Sequence, residues 1–143
     1  IMKTIKEIQQ DIIDDFSFLE SWDEKYTYLI ELGDSMPPMD PANKTEANLV
    51  KGCQSSVWFS LRCEDGRVYL EADSDSLIVR GITAILTTIV SGQCAQDLLT
   101  LDVQFLDEIG LWKHLSSQRN NGVMAMLEHL KSFVSEHCTL PDY

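Results

Sequence analysis

Cys53 is the side chain in this sequence best placed for covalent chemistry. It follows Gly52 at the end of a long loop, residues 34–52, and directly precedes a predicted strand. A glycine adopts backbone conformations that other residues avoid, and it lets another chain approach closely. Loops of this length in compact domains are often functional. The position therefore predicts a thiol offered to a partner, although it equally suits a small apolar residue that begins a strand.

The remaining cysteines carry weaker signals. Cys63 falls beside a predicted turn, Cys94 precedes a short helix where it would be half-buried, and Cys138 lies in the C-terminal tail. The absence of any C-x-x-C pair argues against a thioredoxin-type site or a zinc ribbon. The histidines likewise lack metal-ligand spacing, so the sequence predicts neither a metal site nor a bound cofactor. These histidines are His114, His129 and His137.

Two capping-box patterns predict that the chain opens with two helices that would support the loop. Thr4 with Glu7 begins the first helix, whose apolar residues recur at helical spacing. Ser21 with Glu24 begins the second helix, and Gly33 is predicted to end it. The loop of residues 34–52 contains Pro37, Pro38 and Pro41 and therefore cannot continue a helix.

Alternating apolar residues after Cys53 predict a β-hairpin. Val57, Phe59 and Leu61 alternate with other residues before a turn at 64–66, and residues 68–72 alternate after it. The hairpin would place Cys53 at the entry to its first strand.

Helices are predicted to fill the rest of the chain. Residues 73–76 supply caps for a strongly apolar core helix that ends at Gly92, and residues 93–115 are predicted to form short helices or turns. A long amphipathic helix is predicted over 117–136. Its inward residues would be Val123, Met126, Leu127, Leu130 and Val134. Helices, then a hairpin, then helices predict the α+β class, in a single domain over 1–143.

Composition narrows the functional class. The formal net charge is −12 with only 11 Lys and Arg residues, which argues against binding nucleic acid or an anionic membrane surface. No apolar run approaches the roughly 18 residues of a transmembrane helix, and no secretory signal pattern opens the sequence. We therefore expect a cytoplasmic protein with free thiols.

Residues 50–58 read Val-Lys-Gly-Cys-Gln-Ser-Ser-Val-Trp, which resembles the V-x-G-C-Q-S-x-V-W signature of the SufE family of sulfur acceptors. Residues 22–26 and 29–33 resemble the second helix of that family, and Gly81 also fits its pattern. A further match is His114-Leu115-Ser116 shortly before Arg119. The resemblance covers most of the chain.

The resemblance implies an α+β fold similar to iron–sulfur scaffold proteins of the IscU type. It implies that Cys53 receives sulfur as a persulfide from a cysteine desulfurase, stimulates that enzyme and delivers sulfur to an iron–sulfur scaffold complex. The protein would be a transfer partner rather than an enzyme, without a cofactor of its own, and a homodimer is left open. Supporting or partner-binding positions implied by the resemblance are Gly52, Gln54, Asp75 and Arg119.

Two other functions remain open at the level of the sequence. A thiol-based redox enzyme would need a second thiol or an activating base near Cys53, and an iron–sulfur scaffold would need three or four converging cysteines. The chain also departs from the family, with Lys44 where arginine is frequent and with an unusual segment at 120–123. These departures bear on partner preference. We further expect the loop of residues 34–54 to shelter the thiol and to swing out for a partner.

Overall fold

The computed structural model describes residues 2–102, 104–115 and 117–138. Its strands are β1 (Val57–Glu64), β2 (Arg67–Ser74) and β3 (Gln93–Cys94). Its helices are α1 (Ile5–Ser17), α2 (Trp22–Ser35), α3 (Leu77–Val90), α4 (Ala95–Leu98), α5 (Gln104–Glu108), α6 (Leu111–His114) and α7 (Ser117–His137). Helices that precede and follow a small antiparallel sheet along the chain confirm the predicted α+β class.

Helices α1 and α2 both begin as predicted, whereas α2 differs from its prediction in one half of its capping box and at its C-terminal end. The Thr4 hydroxyl accepts the N–H of Glu7, and the Glu7 carboxylate accepts the N–H of Thr4. In α2, Ser21 caps the N–H of Glu24, but the Glu24 carboxylate accepts the N–H of Glu20, so the box is shifted by one residue. The helix also continues through Gly33 to Ser35. It ends there because Met36 precedes a proline and is disfavoured in the α conformation.

Gly33 serves helix packing rather than helix termination. A Cβ atom on Gly33 would lie 3.0 Å from the backbone nitrogen of Gly81 in α3, and a Cβ on Gly81 would overlap the carbonyl oxygen of Leu29. Helices α2 and α3 therefore cross with their backbones in close contact, which only glycine permits.

The hairpin forms as predicted, and a third strand adds to it. Asp65 and Gly66 both have positive φ angles, 53° and 76°, as a tight hairpin turn with the twist of the strands requires. The two residues of β3 pair with Arg67 and Val68, the first two residues of β2. The prediction of only helices or turns over 93–115 is thus wrong at β3, because two residues are too few to show alternation.

The core lies between the sheet, α3 and α7. All five residues predicted to face inward on α7 are buried, and nine of the residues of α3 are buried as well. The ring of His129 on α7 meets the ring of Phe59 on β1 edge-on, with 5.8 Å between the centroids. Two residues used in the predictions lie outside the described residues: Val103, within the segment predicted as short helices or turns, and Ser116, within one of the family matches.

The expectation of free thiols is wrong for two of the four cysteines. Cys63 near the end of β1 and Cys138 after α7 form a disulfide, with their Cα atoms 5.6 Å apart. That separation is typical of disulfides. The two residues are 75 positions apart, so only the tertiary fold brings them together. Cys53 and Cys94 are free, and Cys94 is exposed rather than half-buried as predicted.

No helix within the described parts of the chain is both long enough and apolar enough to cross a bilayer.

Candidate functional site

The segment around Cys53 is a short loop that leaves and rejoins the fold at one point. The N–H of Val50 donates to the carbonyl of Val57 at 2.8 Å, and Leu49 forms a bridge with Trp58. These pairs close a loop of residues 51–56, which we call the Cys53 loop. Gly52 has a φ of +96°, in the region that favours glycine, which gives a local reason for glycine before the cysteine.

The C-terminal side of the Cys53 loop is fastened to the chain just before α3. Ser56 donates its N–H to Oδ1 of Asp75 at 3.1 Å, and the N–H of Asp75 donates back to the Ser56 carbonyl at 3.2 Å. The Ser74 hydroxyl also donates to the Ser56 carbonyl, at 2.8 Å. Three hydrogen bonds at one residue make Ser56 the fixed end of the loop.

The thiol of Cys53 points inward, toward α7. Its Sγ donates to the carbonyl oxygen of Gly122 at 3.5 Å, and the side chain is half-buried. Beside it lies a cavity of about 90 Å³, which is large on the scale of the roughly 10–15 Å³ that one water needs. The cavity has a mixed polar and apolar lining, formed by residues of α3 and α7, including Arg119, and by three residues of the Cys53 loop. The lining residues are Cys53, Gln54, Ser55, Val79, Ile82, Arg119, Gly122, Val123 and Met126.

Burial sets the protonation of the Cys53 thiol. It raises the pKa of Cys53 above the ordinary value of 9.0, because the charged thiolate is poorly solvated there. Only the thiolate is a nucleophile, so the inward conformation holds Cys53 in its unreactive, protonated form. Burial similarly lowers the pKa of His129 on α7, because the charged imidazolium is poorly solvated there.

A buried carboxylate holds the long segment before the Cys53 loop. Asp73 is 6% exposed and forms ion pairs with Lys44 at 2.7 Å and with the Nε of Arg80 at 3.2 Å. The contact to Arg80 is a charge contact rather than an aligned hydrogen bond. Burial alone would raise the pKa of Asp73, but the hydrogen bonds from Lys44 and the Ser74 N–H, with the charges of Lys44 and Arg80, lower it overall. Lys44 therefore ties residues 40–49 to the end of the hairpin.

The residues named from the sequence fall in one region, at different distances from the thiol. Gln54 and Arg119 line the cavity with Cys53. Gly52 lies against α7, since a Cβ there would come 3.1 Å from the Cβ of Ala125. Asp75 lies at the base of the Cys53 loop through its contacts with Ser56.

Gly122, noted from the sequence only as part of the unusual segment at 120–123, contacts the Cys53 thiol. A Cβ atom there would lie 3.6 Å from the Sγ of Cys53. A glycine inside a helix costs roughly 0.5–1 kcal/mol relative to alanine, so its presence in the middle of an amphipathic pattern is a sequence signal of a close contact at that position.

The other cysteines lie at the opposite end of the sheet. Val57, next to the Cys53 loop, pairs with Ser74, whereas Cys63 pairs with Val68 and Cys94 with Arg67. Six residues of strand separate Val57 from Cys63, which is about 20 Å at roughly 3.3 Å per residue. A disulfide needs Cα atoms within about 7 Å, so Cys53 has no partner thiol in this fold.

A larger groove of the described structure does not contain the Cys53 thiol, and no metal site lies among the described residues. An open groove of about 900 Å³ between α1 and the segment from β3 to α5 contains Cys94 and Arg67, at the far end of the sheet from Cys53. Across the described residues, no group of three or more His, Cys, Asp or Glu side chains is arranged to hold a metal ion.

Comparisons with known proteins agree with this architecture. The SufE family model, described as an Fe-S metabolism associated domain, matches residues 10–134. A SufE-like protein of Rhizobium meliloti (strain 1021), named as uncharacterized, is 43% identical over 126 residues, covering 85% of this chain and 90% of the relative. One from Rhizobium etli, also named as uncharacterized, is 40% identical over 125 residues, covering 84% of each chain.

A solved structure shows the same fold. The solution structure of a hypothetical protein from Thermus thermophilus superimposes with a TM-score of 0.74 over 90% of this chain and 94% of that chain, at 21% identity. That likeness concerns the fold alone. The family match over most of the chain, and relatives at 40% identity or more, show that the chain belongs to the SufE family, which is associated with Fe–S metabolism.

Proposed function

We propose that this protein is a cytoplasmic sulfur carrier. Cys53 accepts a sulfur atom as a persulfide from a pyridoxal-phosphate cysteine desulfurase, stimulates that enzyme by removing its product, and passes the sulfur to an iron–sulfur scaffold complex. The observation that carries the proposal is the free thiol of Cys53, held in a closed loop over a cavity of about 90 Å³.

The transfer is a displacement at sulfur. The Cys53 thiolate attacks the terminal sulfur of the donor's cysteine persulfide, a new S–S bond forms on Cys53, and the donor cysteine leaves as a thiolate. The step consumes no oxidant and no reductant. It needs a nucleophile and access for the donor protein. Cys53 supplies the nucleophile, and its position in a short loop allows a donor to approach it.

The cavity offers a place for the transferred atom. A persulfide is easily oxidised or reduced, so it benefits from a site that excludes solvent. Turned inward, the extra sulfur of a Cys53 persulfide would extend toward Val79, Ile82 and Met126, whose side chains line the cavity. Burial of the unmodified thiol keeps its pKa above the ordinary value.

The thiol must turn outward to react, and the anchors limit which residues move. Met36 and Met39 are buried, Lys44 is paired with Asp73, and Val50 is bonded to Val57. We therefore narrow the moving segment from residues 34–54 to residues 51–55, between Val50 and the fixed Ser56. Hydrogen exchange measured with and without desulfurase tests this: protection should change at 51–55 and stay constant at 40–50.

The sulfur-carrier proposal is favoured over the two alternatives by the placement of the cysteines. A thiol redox enzyme that resolves its intermediate with a second cysteine would require that thiol near Cys53. Cys63 and Cys94 instead lie at the opposite end of the hairpin, whose first strand spans about 20 Å from Val57, next to the Cys53 loop, to Cys63. A cluster scaffold would require several ligands converging on one point, and the described residues offer no such group.

The test is intact-protein mass spectrometry after incubation with a cysteine desulfurase and cysteine, without reductant. We expect a gain of one sulfur mass that reductant removes. The gain should vanish in Cys53→Ser and persist in Cys94→Ser, which removes the other free thiol. A gain that survives Cys53→Ser would refute the assignment of the site.

A further inference from the structure

Helix α7 is held at its two ends by two different cysteines. Near its start, Gly122 accepts the hydrogen bond of the Cys53 thiol and Ala125 lies against Gly52. Just past its end, Cys138 is bonded to Cys63 of β1. Gly122 and Cys138 are 16 residues apart (138 − 122), which is about 24 Å of helix at roughly 1.5 Å per residue. The same rigid element therefore carries both the shelter of Cys53 and the disulfide.

Between these two points, α7 is held by noncovalent packing. One face of the helix is buried against the sheet and α4, and His129 meets the ring of Phe59. Covalent attachment is limited to the end at Cys138. Breaking that bond removes this covalent restraint, and a displacement of the intact helix would also move Gly122.

The disulfide can change its redox state without consuming Cys53. Cys63 pairs with Val68 at the end of the hairpin opposite to the Cys53 loop, beyond the reach of a Cys53–Cys63 bond. Cys63 is half-buried on an edge strand, whereas Cys138 is 9% exposed. A reductant would therefore attack the sulfur of Cys63.

We propose that Cys63 and Cys138 form a reversible redox modification site that controls release of the Cys53 loop. The disulfide fixes α7 on β1 and holds the thiol of Cys53 in its sheltered position. Reduction loosens α7 and lets the Cys53 loop open more often. The consequence for sulfur transfer, slower acceptance in the oxidised form, rests on the proposed function.

The chemistry balances with a hydroperoxide as oxidant and a dithiol as reductant. The thiolate of one cysteine attacks the peroxide oxygen and becomes a sulfenic acid, with release of water or an alcohol. The second thiol displaces water from that sulfenic acid and forms the S–S bond, so the pair loses two electrons and two protons. A dithiol protein of the thioredoxin class reduces the disulfide again through a mixed disulfide and returns the two electrons and two protons.

The test measures opening of the Cys53 loop without any partner. The full chain, with its disulfide intact, is compared with Cys63→Ser for the rate at which iodoacetamide alkylates Cys53, followed by peptide mass analysis. We expect a rate at least several-fold higher in Cys63→Ser. Wild-type protein reduced by a phosphine and kept under nitrogen should match the variant, which excludes an effect of the serine itself.

Two controls separate this effect from general loss of stability. Cys94→Ser should leave the alkylation rate of Cys53 unchanged. Ile12→Ala, which destabilises the core from α1, should raise that rate far less than Cys63→Ser does. Equal rates in the oxidised and reduced forms, or failure of peroxide to produce the Cys63–Cys138 bond, would overturn the proposal.

The outcome is distinguishable from that of the proposed function, because alkylation needs no desulfurase. If the alkylation rates differ but neither form gains sulfur, the redox control of the loop stands and the sulfur-carrier function fails. If both forms gain sulfur but the alkylation rates are equal, the carrier function stands and the redox control fails.

Discussion

The thiol of Cys53 donates a hydrogen bond to the carbonyl oxygen of Gly122, 3.5 Å away, at the single glycine of α7. This contact connects the Cys53 loop, which must reach a partner, with α7, a long helix of the core. Glycine at this point leaves open the space that a larger side chain would fill beside the sulfur. The contact therefore explains both how the thiol is sheltered and why a residue unfavourable to helices occurs there.

Enlarging Gly122 is expected to expose Cys53. A methyl group fits, because its carbon would lie 3.6 Å from Sγ, so Gly122→Ala should keep the thiol sheltered and stabilise the helix by about 0.5–1 kcal/mol. Gly122→Leu extends into the space occupied by Cys53 and should shift the loop outward. We expect alkylation of Cys53 to rise by about tenfold, which corresponds to about 1.4 kcal/mol in the opening equilibrium.

Asn121→Leu is the matched control for this series, because Asn121 is an exposed neighbour on the same helix. It adds the same side chain and should leave the alkylation rate of Cys53 within about twofold of wild type, as expected for a surface substitution. Similar acceleration in the Asn121 and Gly122 leucine variants would show that the contact with Gly122 does not shelter the thiol.

The reactivity of Cys53 in the free protein should need a higher pH than that of an exposed thiol. Burial raises the pKa of Cys53 above 9.0, so the thiolate forms only as the pH rises past that ordinary value. The measurement is the pH dependence of Cys53 alkylation, compared with that of a peptide of residues 50–57. The midpoint should lie higher in the protein and move down in Gly122→Leu; a midpoint equal to that of the peptide would contradict the inward conformation.

The elements encoded by local signals could be predicted from the sequence. The capping residues Thr4 and Ser21, the turn at Asp65 and Gly66, and the apolar face of α7 are each recognised from a few neighbouring residues. Cys53 stands out for the same reason, since the motif around it is contiguous. Local patterns thus located the candidate thiol and most of the helices and strands.

The features that depend on tertiary contacts were missed or misassigned. Gly33 resembles a helix terminus in sequence, yet its role depends on Gly81 in another helix. Cys63 and Cys138 are 75 residues apart and give no sign of pairing until β1 and α7 are in place. The cavity beside Cys53 likewise requires α3 and α7 together, so the residues of α3 that line it were not identified, whereas Gln54 and Arg119 were named through the family resemblance.

Asp73 should make folding stability depend on pH on the acid side. Its pKa is lower in the folded protein than the ordinary 3.8, so its contribution is fully present above that value and is lost as the pH falls through the folded-state pKa. Asp73→Asn removes this dependence and leaves the charges of Lys44 and Arg80 without their shared partner. We expect a loss of about 2–4 kcal/mol at neutral pH and a smaller further loss toward acid than in wild type.

Urea unfolding at several pH values measures the loss of stability at neutral pH and its dependence on acid. The control is Glu31→Gln, which changes an exposed carboxylate of α2. Glu31→Gln should change stability by less than about 0.5 kcal/mol, as is usual for surface substitutions. An acid dependence as steep in Asp73→Asn as in wild type would mean that other carboxylates produce it.

Loss of the Cys63–Cys138 disulfide should lower folding stability because the unfolded chain is no longer constrained. The bond closes a loop of 75 residues, for which the chain-entropy relation gives about 4.5 kcal/mol. Urea unfolding of Cys63→Ser and Cys138→Ser without reductant should show losses of this order and of equal size, since either substitution removes the same bond. Cys94→Ser should unfold like wild type. Added reductant should lower the stability of wild type to that of Cys63→Ser and Cys138→Ser, and it should leave the stability of those two variants unchanged. Losses that differ widely between Cys63→Ser and Cys138→Ser would show that packing of the individual side chains, rather than the covalent closure, dominates this end of α7.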